Sequence, residues 1–406
     1  MLFFHLADLH IGKTLHGFPL GADQEFALAQ VLAAVAAEKP AAVILAGDIY
    51  DRAAPPAEAV SIADRFLTAL ARTGTSVLLI AGNHDSPERL GFGGRIMAAS
   101  RVYIEAQYEG RLRRVALADE WGEVAFYLLP WLRPGMTRRF FPQENITTTE
   151  DAVRAVLERE GFTGPARRVL AAHQLVGLDG WDPLRADSER VPLNEERVDI
   201  ALFAPFTYTA LGHLHRAQAV SERVRYAGSL LPYSFGETDR GKKGFLAVEL
   251  GPPGEAPRVT ERPLEPRRPL HVISGTFARL ARPETAAEVG DAYLKVTLTD
   301  EDFVDDALNR LRSFFPHVAV LQYVNARTQA PAEIYDPPAG ETPLALFQSF
   351  FRAQNGADLN EAQTEIIRAL LAAAEAAPDG EAEPDTDKEA TGAAAEMNGA
   401  AGEAEA

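Results

Sequence analysis

The 406-residue chain contains no cysteine. That absence excludes disulfides, thiolate metal sites and a cysteine nucleophile together, and it fits a reducing compartment. Long apolar runs are missing as well: none approaches the roughly 20 residues that would span a bilayer. Residues 1–6, Met-Leu-Phe-Phe-His-Leu, have neither the basic leader nor the long apolar core of a signal peptide. The expectation is a cytoplasmic protein with no membrane partner. A strongly basic segment is also lacking. The net charge is −18, and residues 376–406 hold nine acids and one lysine, which leaves about −10 on the rest. Charge gives no support for a nucleic-acid partner. Such a claim has to come from a site, where a bound metal supplies positive charge that the formal count omits.

A chain of this length is too long for one ordinary core, so two or more units are expected. The first 130 residues alternate between strand-like and helix-like patterns. Leu2–Leu6, Ala42–Leu45 and Ser76–Ile80 read as strands, and Ala57–Ala71 as a helix. Gln24–Glu38 reads as an amphipathic helix with Phe26, Leu28, Val31, Leu32 and Val35 as its apolar positions. Shorter strands follow at 101–105, 113–117, 124–129, 168–172, 206–211, 224–226 and 244–250. The pattern predicts an α/β (α+β) fold of two sheets packed face to face with helices outside. The Pro-rich stretches at 251–254 and 262–269 mark a domain boundary. Beyond it, strands at 271–274, 293–298 and 318–324 around a helix at 305–315 suggest a small α+β unit over 268–330. After a linker at 331–343, residues 344–375 read as two helices. Their apolar face serves either as a docking surface or as packing against the preceding unit. The acidic tail 376–406 reads as disordered.

Five predicted strands end in Asp, Asn or His. Asp8 and His10 follow the first, Asp48 the second and Asn83-His84-Asp85 the third, while His173 and then His213 and His215 close two later ones. Ligands in open α/β sheets gather outside the carboxyl ends of strands, so these ends can meet. Singly each is an ordinary turn: Gly-Asp and Asp-x-His are common turn signals, and a lone His173 would usually be a core histidine. Together they hold five of the nine histidines in the chain. Asp8, His10, Asp48, Asn83, His173, His213 and His215 offer only oxygen and imidazole donors, a set suited to Mn²⁺, Fe²⁺ or Zn²⁺. Seven ligands are too many for one ion and suit two that share a carboxylate, here Asp48. Two metals about 3.5–4 Å apart form the usual clamp for in-line attack on phosphorus. His84 is then the acid that serves the leaving oxygen, with Asp85 orienting its ring.

Asp8-x-His10, Gly47-Asp48, Gly82-Asn83-His84-Asp85, His173 and Gly212-His213-x-His215 resemble the signature series of calcineurin-like metallophosphoesterases. The resemblance implies a two-sheet sandwich flanked by helices. It also implies one metal on Asp8, His10, Asp48 and His215, and another on Asp48, Asn83, His173 and His213. The stretches 5–15, 47–56, Pro130-Trp131-Leu132-Arg133-Pro134 and 226–237 are similar to the SbcD branch of nuclease subunits. Residues 271–324 resemble that branch's cap domain, and 344–375 its partner-binding helices. What this implies is a two-Mn²⁺ DNA nuclease, exonucleolytic on duplex ends and endonucleolytic on single strands and hairpins. It would be a homodimer that binds the ATP-driven coiled-coil partner SbcC through 341–375 and works at the nucleoid in repair and recombination. The chain departs from archaeal and eukaryotic relatives, which carry a histidine where Asp51 stands, and an acid cannot take that histidine's part.

Two other readings compete. A small-molecule phosphodiesterase would keep every metal ligand but would not need the cap or the terminal helices. A metal-free scaffold on the same fold predicts decay of the ligands, which is not seen. The DNA-contacting surface is less defined: Lys13, Arg52, Arg89 and Arg95 lie near the motif loops and are candidates for phosphate contact, or else solvated surface charges.

Overall fold

A computed structural model describes residues 1–163, 167–178, 180–186, 189, 197–238, 242–324, 342–355 and 358–376. The chain divides into two compact units, Met1–Tyr323 and Val324–Ala406. In the first unit, β1 (Leu2–Leu6), β2 (Ala42–Ala46), β3 (Ser76–Ile80) and β4 (Val102–Glu105) lie parallel in one sheet. The chain then builds a second sheet from β5 (Arg113–Asp119), β6 (Gly122–Leu129), β7 (Arg167–His173), β8 (Tyr208–Gly212), β9 (Gln218–Ala219) and β10 (Val224–Tyr226), in the order 9-10-8-7-6-5. It returns to the first sheet with β11 (Gly244–Glu249) and β12 (Arg258–Pro263), both antiparallel to their neighbours, giving the order 12-11-1-2-3-4.

The central strands are continuous apolar runs because both of their faces are covered. Every residue of β2 and of β3 is buried. Side chains alternate between faces, as strand geometry dictates. Phe3, Ile44, Leu78 and Ile80 meet Phe126, Val169 and Ala210 of the other sheet. Phe4, Val43, Leu45 and Leu79 turn outward to helices α1 (Gly21–Glu38) and α2 (Ala57–Arg72), against Val31, Val35, Ile62 and Phe66. The outer face of the second sheet is covered by α3 (Thr149–Glu160), which a capping box of Thr148 and Asp151 starts and Gly161 ends. The polar side chain of His5 helps join the sheets. The ring nitrogens of His5 lie 3.0 Å from Tyr208 Oη and 3.1 Å from the Leu211 carbonyl. Burial pulls that imidazole down to about 3, so it is a neutral tie rather than a charge.

Two expectations change here. Phe26, named among the apolar positions of α1, is 43% exposed, while Gln24 is buried and faces the site loops. Arg258–Pro263 is an edge strand that reaches into the Pro-rich boundary; its mix of exposed and half-buried residues, with none buried, hid it. Past that strand, Leu264 and Leu270 join the core beneath α1, and Tyr293 Oη donates to Asp23 (3.0 Å). Residues 270–323 form a parallel three-stranded sheet, Leu270–Gly275, Tyr293–Leu298 and Val318–Tyr323, with helices Pro283–Val289 and Ala307–Arg312. This sheet therefore belongs to the same compact unit as the sandwich.

The second unit contributes helices Pro343–Asn355 and Glu361–Ala376, with Arg352 paired to Asp358 (2.6 Å). Most of the expected linker and the acidic tail from 377 lie outside the described residues. Among the described residues no helix is long and apolar enough to cross a membrane.

Candidate metal centre

The ends of β1, β2 and β3 in one sheet and of β7 and β8 in the other open onto a common edge. Main-chain bonds zip the first two loops together: Asp8 N donates to the Gly47 carbonyl (3.1 Å) and His10 N to that of Asp48 (2.9 Å). Asp8, His10, Asp48 and His213 all hold positive φ, between 43° and 102°. Such backbone costs a non-glycine residue roughly 1–2 kcal/mol and persists where the surroundings demand it. Glycine supplies the close approaches. A Cβ on Gly82 would stand 2.1 Å from Asp48 Oδ1, and one on Gly47 2.2 Å from His173 Nδ1. Either substitution would push a donor out of place.

The seven expected donors come together. Asp48 Oδ2 lies 3.6 Å from His10 Nε2 and 3.5 Å from His173 Nε2, so one carboxylate oxygen faces both halves of the cluster. In one half, His10 Nε2 and His215 Nε2 are 2.9 Å apart, and Asp8, His10 and His215 group within 4.8 Å. In the other, Asn83 Oδ1 stands 3.0 Å from His173 Nε2 and 3.2 Å from His213 Nδ1. The first sheet provides Asp8, His10, Asp48 and Asn83; the second provides His173, His213 and His215.

These residues fit a pair of divalent cations. Asp8 Oδ1 accepts from His213 N (2.9 Å), whereas its Oδ2 is buried without a hydrogen-bond partner, a costly state for a carboxylate unless a cation meets it. His173 Nδ1 donates to the Ala46 carbonyl (2.8 Å), which leaves the Nε2 lone pair for a metal. Electrostatics agree. Burial pushes Asp8 well above the usual carboxylate range and pulls His215 well below the imidazole range. Burial also pulls on His173, but the Asp48 carboxylate outweighs it and raises the ring to about 9. Burial works against Asp48 too, yet the His173 charge and hydrogen bond hold it well below its normal value. A position flanked by the buried carboxylates of Asp48 and Asp8 is one that favours positive charge.

Around the donors, Gln24 Nε2 donates to the Leu9 and His10 carbonyls (3.2 and 2.7 Å), and its Oε1 accepts from Gly12 N (3.0 Å). Lys243 Nζ donates to the His215 carbonyl (2.6 Å) and pairs with Glu237 (2.5 Å). Sequence reasoning missed both, although a glutamine in an apolar helical stripe is a signal. It also gave Asp51 no role. The Asp51 carbonyl accepts from His84 Nδ1 (2.8 Å), and its carboxylate lies 3.5 Å from His10 Nδ1 and 2.7 Å from Lys13 Nζ.

Two expectations are corrected by these contacts. Asp85 does not orient His84: its carboxylate accepts from the backbone N–H groups of Gly82, Ile49 and Tyr50 (2.9, 3.1 and 2.9 Å) and so pins the loops of β2 and β3. Burial pushes that carboxyl up to about 6. Lys13 is no free phosphate contact, since Asp51 neutralises it. Arg52 is 76% exposed, and Arg89 reaches the Ala53 carbonyl (3.2 Å); both stay at the rim. His84 itself is half-buried. Its N–H, not its ring, holds Asp48 Oδ1 (2.9 Å), and its ring stands perpendicular to that of His10 at 4.8 Å.

Comparison with known proteins gives a consistent result. A family model described as calcineurin-like phosphoesterase matches residues 1–217, and one described as type 5 capsule protein repressor C-terminal domain matches 266–355. The chain is similar to the SbcD component of nuclease SbcCD from Staphylococcus epidermidis, 27% identical, covering 91% of this chain and 98% of that one. It is 31% identical to the protein of the same name in Staphylococcus saprophyticus, over 79% of this chain and 84% of that one. Among solved structures, a dimetal phosphatase from Danio rerio aligns over 64% of this chain and 98% of its own. Its TM-score of 0.38 and 15% identity are too low to bear on the argument.

Proposed function

The chain belongs to the calcineurin-like phosphoesterases, in the SbcD branch of the SbcCD nucleases, and from that footing we propose a two-metal DNA nuclease subunit. The observation that carries the reading is the position of Asp48 Oδ2, 3.6 and 3.5 Å from imidazoles of two different sheets. Asp8, His10, Asp48 and His215 would hold one ion and Asp48, Asn83, His173 and His213 the other. Bound there, Mn²⁺ ions would supply a hydroxide nucleophile at neutral pH and charge neutralisation at the phosphate. The chain's own work is positioning. Asp85 and Gln24 hold the three loops, Lys243 holds the His215 backbone, and Asp51 turns the His84 ring so that Nε2 is free for the leaving oxygen. Arg52 and Arg89 stand at the rim where phosphates would pass.

The wider reading follows the relatives' name: action on duplex ends, single strands and hairpins together with an SbcC ATPase. Phe350, Ile366 and Leu370, 45–61% exposed on the terminal helices, supply an apolar face for that partner. The reading includes a homodimer, which sedimentation of the purified chain tests. Phe92 and Ile96, over 80% exposed, give such an interface apolar side chains. The reading places the protein in the cytoplasm, at the nucleoid.

The central test incubates the purified chain with Mn²⁺ and an end-labelled hairpin duplex, beside bis(p-nitrophenyl) phosphate. Cleavage of the hairpin supports the reading. Hydrolysis of the dye substrate alone would leave the two-metal site standing and make the substrate a small phosphodiester.

A further inference from the structure

Beside Asn83 a pocket of about 400 Å³ opens, lined by Pro87, Trp131, Arg133, Met136 and Arg139 as well as Asn83 itself. That volume is in the range of small-ligand sites. Trp131 and Arg133 come from the stretch Pro130–Pro134, which the metal chemistry does not use and which forms one wall through these two side chains. The wall is firmly built: Trp131 N donates to the Ala81 carbonyl at the end of β3 (2.9 Å), and Leu132 is fully buried. Trp131 is only half-buried, and the Arg133 guanidinium lies over its ring at 5.2 Å. The Arg139 guanidinium lies over the Phe140 ring at 4.6 Å. Among the described residues neither arginine has an ion-pair partner, so both charges are open to a phosphate.

We propose that this pocket is a nucleobase subsite: it takes an unpaired base of the strand being cut, stacked on Trp131, with Arg133 and Arg139 on the flanking phosphates. The inference rests on the nuclease reading and adds what holds the strand next to the scissile phosphate. An indole plus unpaired guanidiniums is the chemistry that binds single strands without reading sequence, since every base has a π-face. A base inside a duplex is not available to stack, so the subsite favours hairpin loops, frayed ends and single strands. A small phosphodiester makes no use of it.

The test measures kcat/KM in Mn²⁺ for a single-stranded oligonucleotide and for bis(p-nitrophenyl) phosphate, on the full chain. The quantity read is their ratio. Trp131→Ala should lower that ratio roughly 5- to 150-fold, the worth of one stacked base, and Trp131→Phe should restore most of it. Arg133→Gln with Arg139→Gln should flatten the log–log salt dependence of oligonucleotide binding by about 1.4, from two lost phosphate contacts. A ratio that Trp131→Ala leaves unchanged, whether both activities fall together or neither does, overturns the subsite while the nuclease reading stands. Failure of the wild type to cut any oligonucleotide overturns both.

Discussion

On the proposed reading, replacing His84 by alanine should separate proton transfer from metal binding, because the contacts of its backbone and of its ring are different. The Asp48 carboxylate is held by the His84 N–H, which alanine keeps. The ring touches Asp51 through Nδ1, and with that nitrogen donating to a carbonyl only Nε2 can hand a proton to a leaving oxygen. General-acid catalysis contributes about 10²–10⁴-fold, or ~2.7–5.5 kcal/mol of barrier. For DNA, whose leaving group is an alkoxide, His84→Ala should therefore cost 10²–10⁴ in kcat with the capacity for two metal ions retained. For bis(p-nitrophenyl) phosphate, whose leaving phenolate needs no proton, the loss should shrink to about tenfold or less. The assays are steady-state kinetics on both substrates and metal content by titration calorimetry. The alternative is visible in the geometry: His10, Asp48 and His84 also group within 4.8 Å as potential ligands. Equal losses on both substrates, with one ion missing, would refute the acid assignment and make His84 a ligand.

Asp51→Ala retains the carbonyl that orients His84 but strips the carboxylate beside His10 and Lys13; titration calorimetry should show Mn²⁺ affinity weakened about 10- to 100-fold, as for other outer partners of metal-bound histidines. Gly82→Ala drives a methyl to 2.1 Å from Asp48 Oδ1; denaturant titration should show ~1–3 kcal/mol lost, with metal binding impaired as well. Glu105→Gln tests a carboxyl away from the centre. Burial pushes Glu105 up to about 7, so its folded state prefers the proton and the chain loses stability as pH rises from about 4.5 through 7. The glutamine variant should be more stable than wild type by about 1–2 kcal/mol at pH 8, allowing for solvent at this edge strand, and no more stable at pH 4.

The sheets were legible because their central strands are buried on both faces, so Ala42–Ala46 and Ser76–Ile80 appear as unbroken apolar runs. Arg258–Pro263, an edge strand with half-buried residues, carries no such mark. Helix Thr149–Glu160 also went unread, although Thr148 and Asp151 announce its start. In the site, the seven donors could be named because each follows a strand whose end is fixed by its apolar run. Their supports could not. Gln24, Asp51 and Lys243 act through carbonyls or through side chains far along the chain, and nothing local to their sequence records a carbonyl's direction. Proximity in sequence even misled: Asp85 stands beside His84 in the chain but turns back onto three amides of other loops, and Lys13, near the first motif, spends its charge on Asp51.

A protein that has no cysteine to staple its layers together can still fasten them. Four of the proposed donors sit on one sheet and three on the other, so ions held by all seven would act as rivets across the seam of the sandwich, and rivets that come out by dilution. Each tenfold excess of free metal over its dissociation constant adds about 1.4 kcal/mol against separation of the layers. Amide hydrogens at the ends of β7 and β8 should then exchange at a rate set by the metal concentration of the buffer, with chelation loosening the seam before the outer helices part.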